Sequence, residues 1–121
     1  MASDTQLQPT IARIWRGRTR SEVADAYELY NYEVGIKPLL AKALGVQTFR
    51  EDRAGEVEFM TISYWADEAS MGGFAGGDPR QIHHLPRDAE FLIALPRDVQ
   101  VLRLLTGHGA FAPPMQPPPA A

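Results

Sequence analysis

Three histidines occur among the 121 residues, and they are the side chains best suited to move protons near neutral pH, since an unperturbed imidazole titrates near ~6.5. His83 and His84 are neighbours, whereas His108 stands between Gly107 and Gly109. Adjacent side chains diverge on a helix and point to opposite faces on a strand, so one of the pair at most turns into a pocket. Ile82 and Leu85 bracket the pair. On that basis His83 takes the proton-transfer position and His84 lines the rim, and the choice between them stays open. No His-x-x-x-His or Glu-x-x-His spacing and no cysteine occurs, so neither a metal site nor thiolate chemistry is expected.

Aromatic residues offer a second chemistry. Tyr27, Tyr30 and Tyr32 fall on one stretch, with Trp15, Trp65 and Phe91 elsewhere. Such side chains form a core as readily as a ligand cradle. A pocket lined by rings with a few polar tips suits a planar aromatic molecule. Asn31 and Arg13 can supply tips: Tyr30 would donate to an enolate or phenolate, and Arg13 would hold an acidic group. The candidate catalytic set is therefore His83, Tyr30 and Arg13. The candidate lining set is Trp15, Tyr27, Asn31, Trp65, His84 and Phe91. Gly72 to Asp78 (GGFAGGD) is followed by no Gly-Lys-Ser/Thr and matches no dinucleotide fingerprint, so no nucleotide and no other cofactor is expected.

The elements that must position these groups can be read from periodicity. Ile11 to Gly17 reads as a first strand with apolar groups on both faces. Thr19 and Glu22 match a capping box, and Val23, Tyr27, Tyr30 and Val34 follow as one stripe of an amphipathic helix. Gly35 interrupts that helix, Pro38 starts a short second segment and Gly45 caps it. Val46 to Glu51 reads as a second strand, residues 52–55 as a turn and Glu56 to Trp65 as a third strand. Along that strand Val57, Phe59 and Trp65 share one face, while Met60, Ile62 and Tyr64 share the other. A strand apolar on both faces needs two covers, and a chain this small has one helix layer, so a second subunit is expected. Asp67 N-caps a short helix ending before Pro79, one further turn or two falls within Pro86 to Leu92, and Val99 to Leu105 is the last strand. The order is βαββαβ, an α+β ferredoxin-like arrangement with a four-stranded antiparallel sheet.

Composition bounds the remaining possibilities. Hydrophobic residues at 45% and charged residues at 22% are ordinary for one globular domain. A net charge of −3 disfavours nucleic acid as a partner, although Arg13, Arg16, Arg18 and Arg20 form a local basic run able to hold a carboxylate or phosphate. Residues 1–9 read as a loose arm, 10–109 as the folded domain and 110–121, with five of the ten prolines, as a disordered tail. The N-terminal stretch has no basic start followed by an apolar run, and no stretch reaches ~18 apolar residues. A cytoplasmic protein without membrane contact is the expectation.

The order of elements, the segment W-A-D-E-A-S-M-G-G-F after the long third strand and the segment H-H-L-P-R-D-A-E-F-L together resemble the antibiotic biosynthesis monooxygenase family. That family belongs to the dimeric α+β barrel superfamily, and the resemblance spans roughly residues 10–105. It implies a homodimer with two facing sheets and a ligand pocket between sheet and helices. It also implies, for some members, oxygenation of aromatic polyketides without metal or flavin. A base would remove a substrate proton and the electron-rich anion would react with dioxygen itself. The alternatives are a non-catalytic ligand-binding or stress-responsive dimer of the same fold, and an isomerase or cyclase.

Overall fold

The computed structural model describes residues 8–75, 78, 80 and 82–109, with the backbone alone at 73–75. The expected tail at 110–121, most of the N-terminal arm and part of the glycine-rich segment lie outside the described residues. Strand β1 runs Ile11–Arg20 and helix α1 runs Ser21–Tyr30. A π-helical turn follows at Asn31–Ile36, then α2 at Lys37–Leu40. Strand β2 covers Gly45–Arg53 and β3 covers Glu56–Trp65. Helix α3 is Glu68–Ala75, α4 is Asp88–Phe91 and β4 is Gln100–Arg103. The four strands form one antiparallel sheet in the order β2-β3-β1-β4. This order is consistent with the ferredoxin-like arrangement expected from sequence.

The long central strands behave as their alternation dictates. Every second residue of β3, from Val57 to Trp65, is buried against the helices. Gly55, at φ 80°, makes the tight β2–β3 turn that an L side chain would strain. Asp67 caps α3, its carboxylate accepting from the Ser70 N–H at 2.8 Å.

Four local expectations are corrected. Thr19 does not cap α1: it is buried in β1, its hydroxyl donating to the Arg20 carbonyl at 2.9 Å, and the N-cap residue Arg20 makes no side-chain bond. Pairing of Thr19 with Val57 holds it in the sheet, and this ladder outweighs the local capping signal. Gly45 is the first residue of β2 and not a helix cap, and α2 ends at Ala41 in right-handed geometry. Val34 is 39% exposed and leaves the predicted stripe. Its displacement follows from the π turn, whose i→i+5 bonding takes up more residues per turn. The buried line accordingly passes from Tyr27 to Ile36 and Leu39. Backbone helicity continues through Gly35 without a break.

This phase change divides the core in two. One cluster joins Ala24 and Tyr27 to Val57, Phe59 and Leu92, with Trp15, Tyr30 and Phe91 packed against it. The other joins Ile36 and Leu39 to Val46, Trp65 and Met71. Between them the helix-facing side of the sheet carries buried polar side chains, Thr61, Ser63 and Arg13, with Ser63 directly across from Arg13. The first cluster is pinned by one buried polar contact. Tyr27 donates to Asp88 at 3.1 Å, and the other Asp88 oxygen accepts from the Leu85 N–H at 3.0 Å.

Tyr27 generates a stability prediction. Burial, reinforced by the Asp88 carboxylate, raises its phenol pKa well above the ordinary value. The neutral form is therefore favoured in the fold. Its contribution is fully present below the unfolded pKa of ~10 and is lost as pH climbs above that value. Tyr27→Phe leaves a buried carboxylate oxygen without its donor, and we expect a loss of about 1–3 kcal/mol in denaturant unfolding at pH 7. The decline in stability above pH ~10 should also be shallower in the variant. Equal alkaline slopes in the two proteins would refute the assignment.

Candidate functional site

The break between the two clusters opens a cavity of about 200 Å³ between the helical run and the β2 side of the sheet. Glu28 from the end of α1, and Asn31, Tyr32 and Ile36 from the π turn, form its helical wall. Thr48, Phe49 and Arg50 from β2 and Phe59 from β3 form its sheet wall. The π turn matters here because widening the helix brings Asn31 and Tyr32 to the same opening. Gly35 allows that turn its close neighbours: a Cβ there would lie 3.0 Å from both the Asn31 Oδ1 and the Leu85 Cδ1.

Arg50 is the charge centre of this wall. Its Nε and Nη2 donate to the two Asp52 oxygens at 2.8 and 2.9 Å. Its Nη1 donates to Asp25 and Glu28, each at 2.8 Å. The guanidinium also lies 5.7 Å from the Phe59 ring centroid. Hydrogen bonds donated to Asp52 first and Asp25 next raise its pKa above the ordinary value, and Arg50 in turn lowers that of Asp52. With four bonds to carboxylates, Arg50 is a strut between α1 and β2. The uncharged polar atoms of Asn31, Tyr32 and Thr48 are the groups that can meet a ligand.

The residues singled out from sequence are distributed over several places. Asn31 lines the cavity. Tyr27 and Phe91 belong to the first core cluster or pack on it, as does Trp15. Tyr30 stacks on Phe91 with ring centroids 5.5 Å apart, and its hydroxyl accepts from the Arg87 N–H at 2.8 Å. The Arg87 guanidinium lies over both rings, 5.6 and 5.1 Å from their centroids. Trp65 is buried in the second cluster, its indole N–H donating to the Ser63 hydroxyl at 2.9 Å. Arg13 is 9% exposed, and burial lowers its pKa. His83 and His84 are both exposed in the irregular segment before α4, and neither lines the cavity. The structure therefore does not bring His83, Tyr30 and Arg13 together around this cavity. Glu28, Thr48, Arg50 and Phe59 were not singled out from sequence as site residues, and Tyr32 only as one of three tyrosines on one stretch. Alternation along β2 places Thr48 and Arg50 on the helix-facing side with Val46, and that was the available signal. Among the described residues no group of three or more His, Asp or Glu side chains is arranged to hold a metal.

The Arg50 contacts can be tested by titration. In Arg50→Met the three carboxylates lose their common donor, and the Asp52 midpoint should rise towards the ordinary carboxylate range. Carboxyl-carbon NMR across pH 2–6 reads this directly, and an unchanged Asp52 midpoint in a folded variant would contradict the described network.

No protein-family model matches the chain, and no curated protein matches it. Among solved structures the chain is similar to the NE2512 protein, of unknown function, from Nitrosomonas europaea. The identity is 19%, the match covers 88% of this chain and 100% of that one, and the TM-score is 0.55. At that identity the likeness concerns the fold alone: a small α+β domain with a four-stranded antiparallel sheet.

Proposed function

We propose that this protein binds a small aromatic molecule in the cavity lined by Asn31, Tyr32, Thr48 and Phe59. The observation that carries this reading is the cavity's make-up, an apolar floor with three uncharged polar tips and one neutralised arginine. An apolar cavity of ~150 Å³ holds one benzene ring, so this one suits a single ring with one or two small substituents. Binding fits the arrangement better than proton transfer. The carboxylate in the wall, Glu28, already accepts from Arg50 at 2.8 Å, so its oxygen is engaged within the protein. Cofactor-independent oxygenation, the chemistry implied by the family resemblance, would need a base from elsewhere.

The second half of the proposal is a homodimer. On the side of the sheet away from the helices Phe49 is 49% exposed. Met60, Ile62 and Tyr64 are half-buried beside it. A second copy presenting the same face would cover these side chains. Among the described residues no helix is long and apolar enough to cross a membrane.

Titration of phenol and catechol into the labelled protein, followed by amide NMR, tests the ligand reading. Shifts should centre on Asn31, Tyr32 and Thr48, and Asn31→Leu should weaken binding roughly tenfold, the worth of one buried hydrogen bond. Shifts confined to other surfaces would overturn it. Dioxygen uptake on adding either compound would instead support catalysis. Sedimentation tests the dimer: the wild type should run as a dimer at micromolar concentration and Ile62→Asp as a monomer. A monomeric wild type would end that part of the proposal.

A further inference from the structure

Strand β1 has two partners along its outer side, and they do not meet. β4 pairs with it from Ile11 to Ile14, and Leu92 bridges to Thr19, with the Ile93 N–H donating to the Arg18 carbonyl at 2.8 Å. Between these contacts the chain at 94–99 leaves the sheet edge. The notch that results is an open groove of about 710 Å³, separate from the cavity described above. Arg16 reaches it from β1, Arg97 and Asp98 from the departing chain, and Arg80 from the segment before α4. The Val99 N–H donates to the Arg80 carbonyl at 3.2 Å, which ties the last two segments together. Ile14 and Leu102 supply an apolar wall.

Charge separates this groove from the other arginine clusters. Arg50 and Arg53 are held by carboxylates. Among the described residues Arg16, Arg80 and Arg97 form no ion pair. The side-chain bond Arg16 does make goes to the neutral Gln100 amide oxygen at 3.0 Å. Among the described residues that line it Asp98 is the one acid, so that lining carries a formal charge of +2.

We propose that this groove binds a phosphate monoester, its dianionic head among Arg16, Arg80 and Arg97 and its apolar part along Ile14 and Leu102. A guanidinium offers two parallel donors to one oxyanion, and a dianion balances the formal charge where a carboxylate would leave half of it. Asp98 weakens the attraction, and the three guanidiniums outnumber it. Ile14, Arg16 and Leu102 stand on the sheet face away from the helices, so the inference does not depend on the ligand proposed for the Asn31 cavity on the helix side, and the proposed dimer, through Phe49, Met60 and Ile62, must leave this end of the face open.

Calorimetry with phenyl phosphate, inorganic phosphate and benzoate distinguishes the possibilities. Phenyl phosphate should bind one per chain, inorganic phosphate more weakly, and benzoate weakest. Arg80→Met and Arg97→Met should each lower phenyl phosphate affinity by about fivefold to tenfold, and the exposed Arg20→Met outside the groove should not. Amide shifts at Gln100 and Leu102, absent at Asn31 and Thr48, should accompany binding. Benzoate binding as tightly as phenyl phosphate would overturn the phosphate assignment. An equal loss in Arg20→Met, or no saturable binding of phenyl phosphate, would overturn the site.

Discussion

The helical run from Ser21 to Leu40 must cover the strand pair at the centre of the sheet, and its length and phase set much of the rest. Twenty helical residues reach roughly 30 Å, close to the roughly 33 Å of a ten-residue strand. A uniform α-helix would carry one straight apolar stripe. The π turn at Asn31–Ile36 instead rotates the buried line, so Tyr27 serves one cluster and Ile36 and Leu39 serve the other. The cavity is the space at the junction of the two. Asn31 and Tyr32 stand at it because they occupy the widened turn.

The aromatic residues divide according to whether their polar atoms are already used. Tyr27, Tyr30 and Trp65 each have a partner within the protein: Asp88, the Arg87 backbone and Ser63 respectively. The rings of Tyr27 and Tyr30 fix α4 and its flanking segment against α1, and Trp65 packs in the second cluster. A ligand would have to break such contacts to use them. Asn31 and Thr48, at the cavity wall, are better placed for recognition.

A comparable division separates the arginines. Arg50 and Arg53 knit the β2–β3 hairpin and tie it to α1, surrounded by more carboxylate than they can neutralise. The three arginines of the edge groove face one acid. The net charge of −3 conceals this difference between the two groups of arginines.

How much of this could be read in advance depended on the range of the interaction. Alternation along Glu56 to Trp65 settled that strand, its ends and its two faces, since a period of two is written in neighbouring residues. Asp67 and Ser70 sit within one helical turn, and the cap formed as the sequence required. Thr19 carried an equally good local signal and failed, because pairing with Val57 across the sheet held it in extended backbone. The π turn left no mark in residue types, and with it went the positions of Val34, Ile36 and the cavity. Asn31 was legible as a polar residue among aromatics. Glu28, Thr48 and Arg50 were not, because what joins them is the approach of α1 to an edge strand twenty residues further on. The histidines show the same limit from the other side: sequence supplied their chemistry, and the path of the chain before α4 left both His83 and His84 on the surface. Sequence by itself determined that four strands occur, the two faces of Glu56 to Trp65 and the βαββαβ order, all of which rest on local periodicity. Tertiary structure alone decided which polar groups meet, because that depends on helix phase and strand register between distant segments.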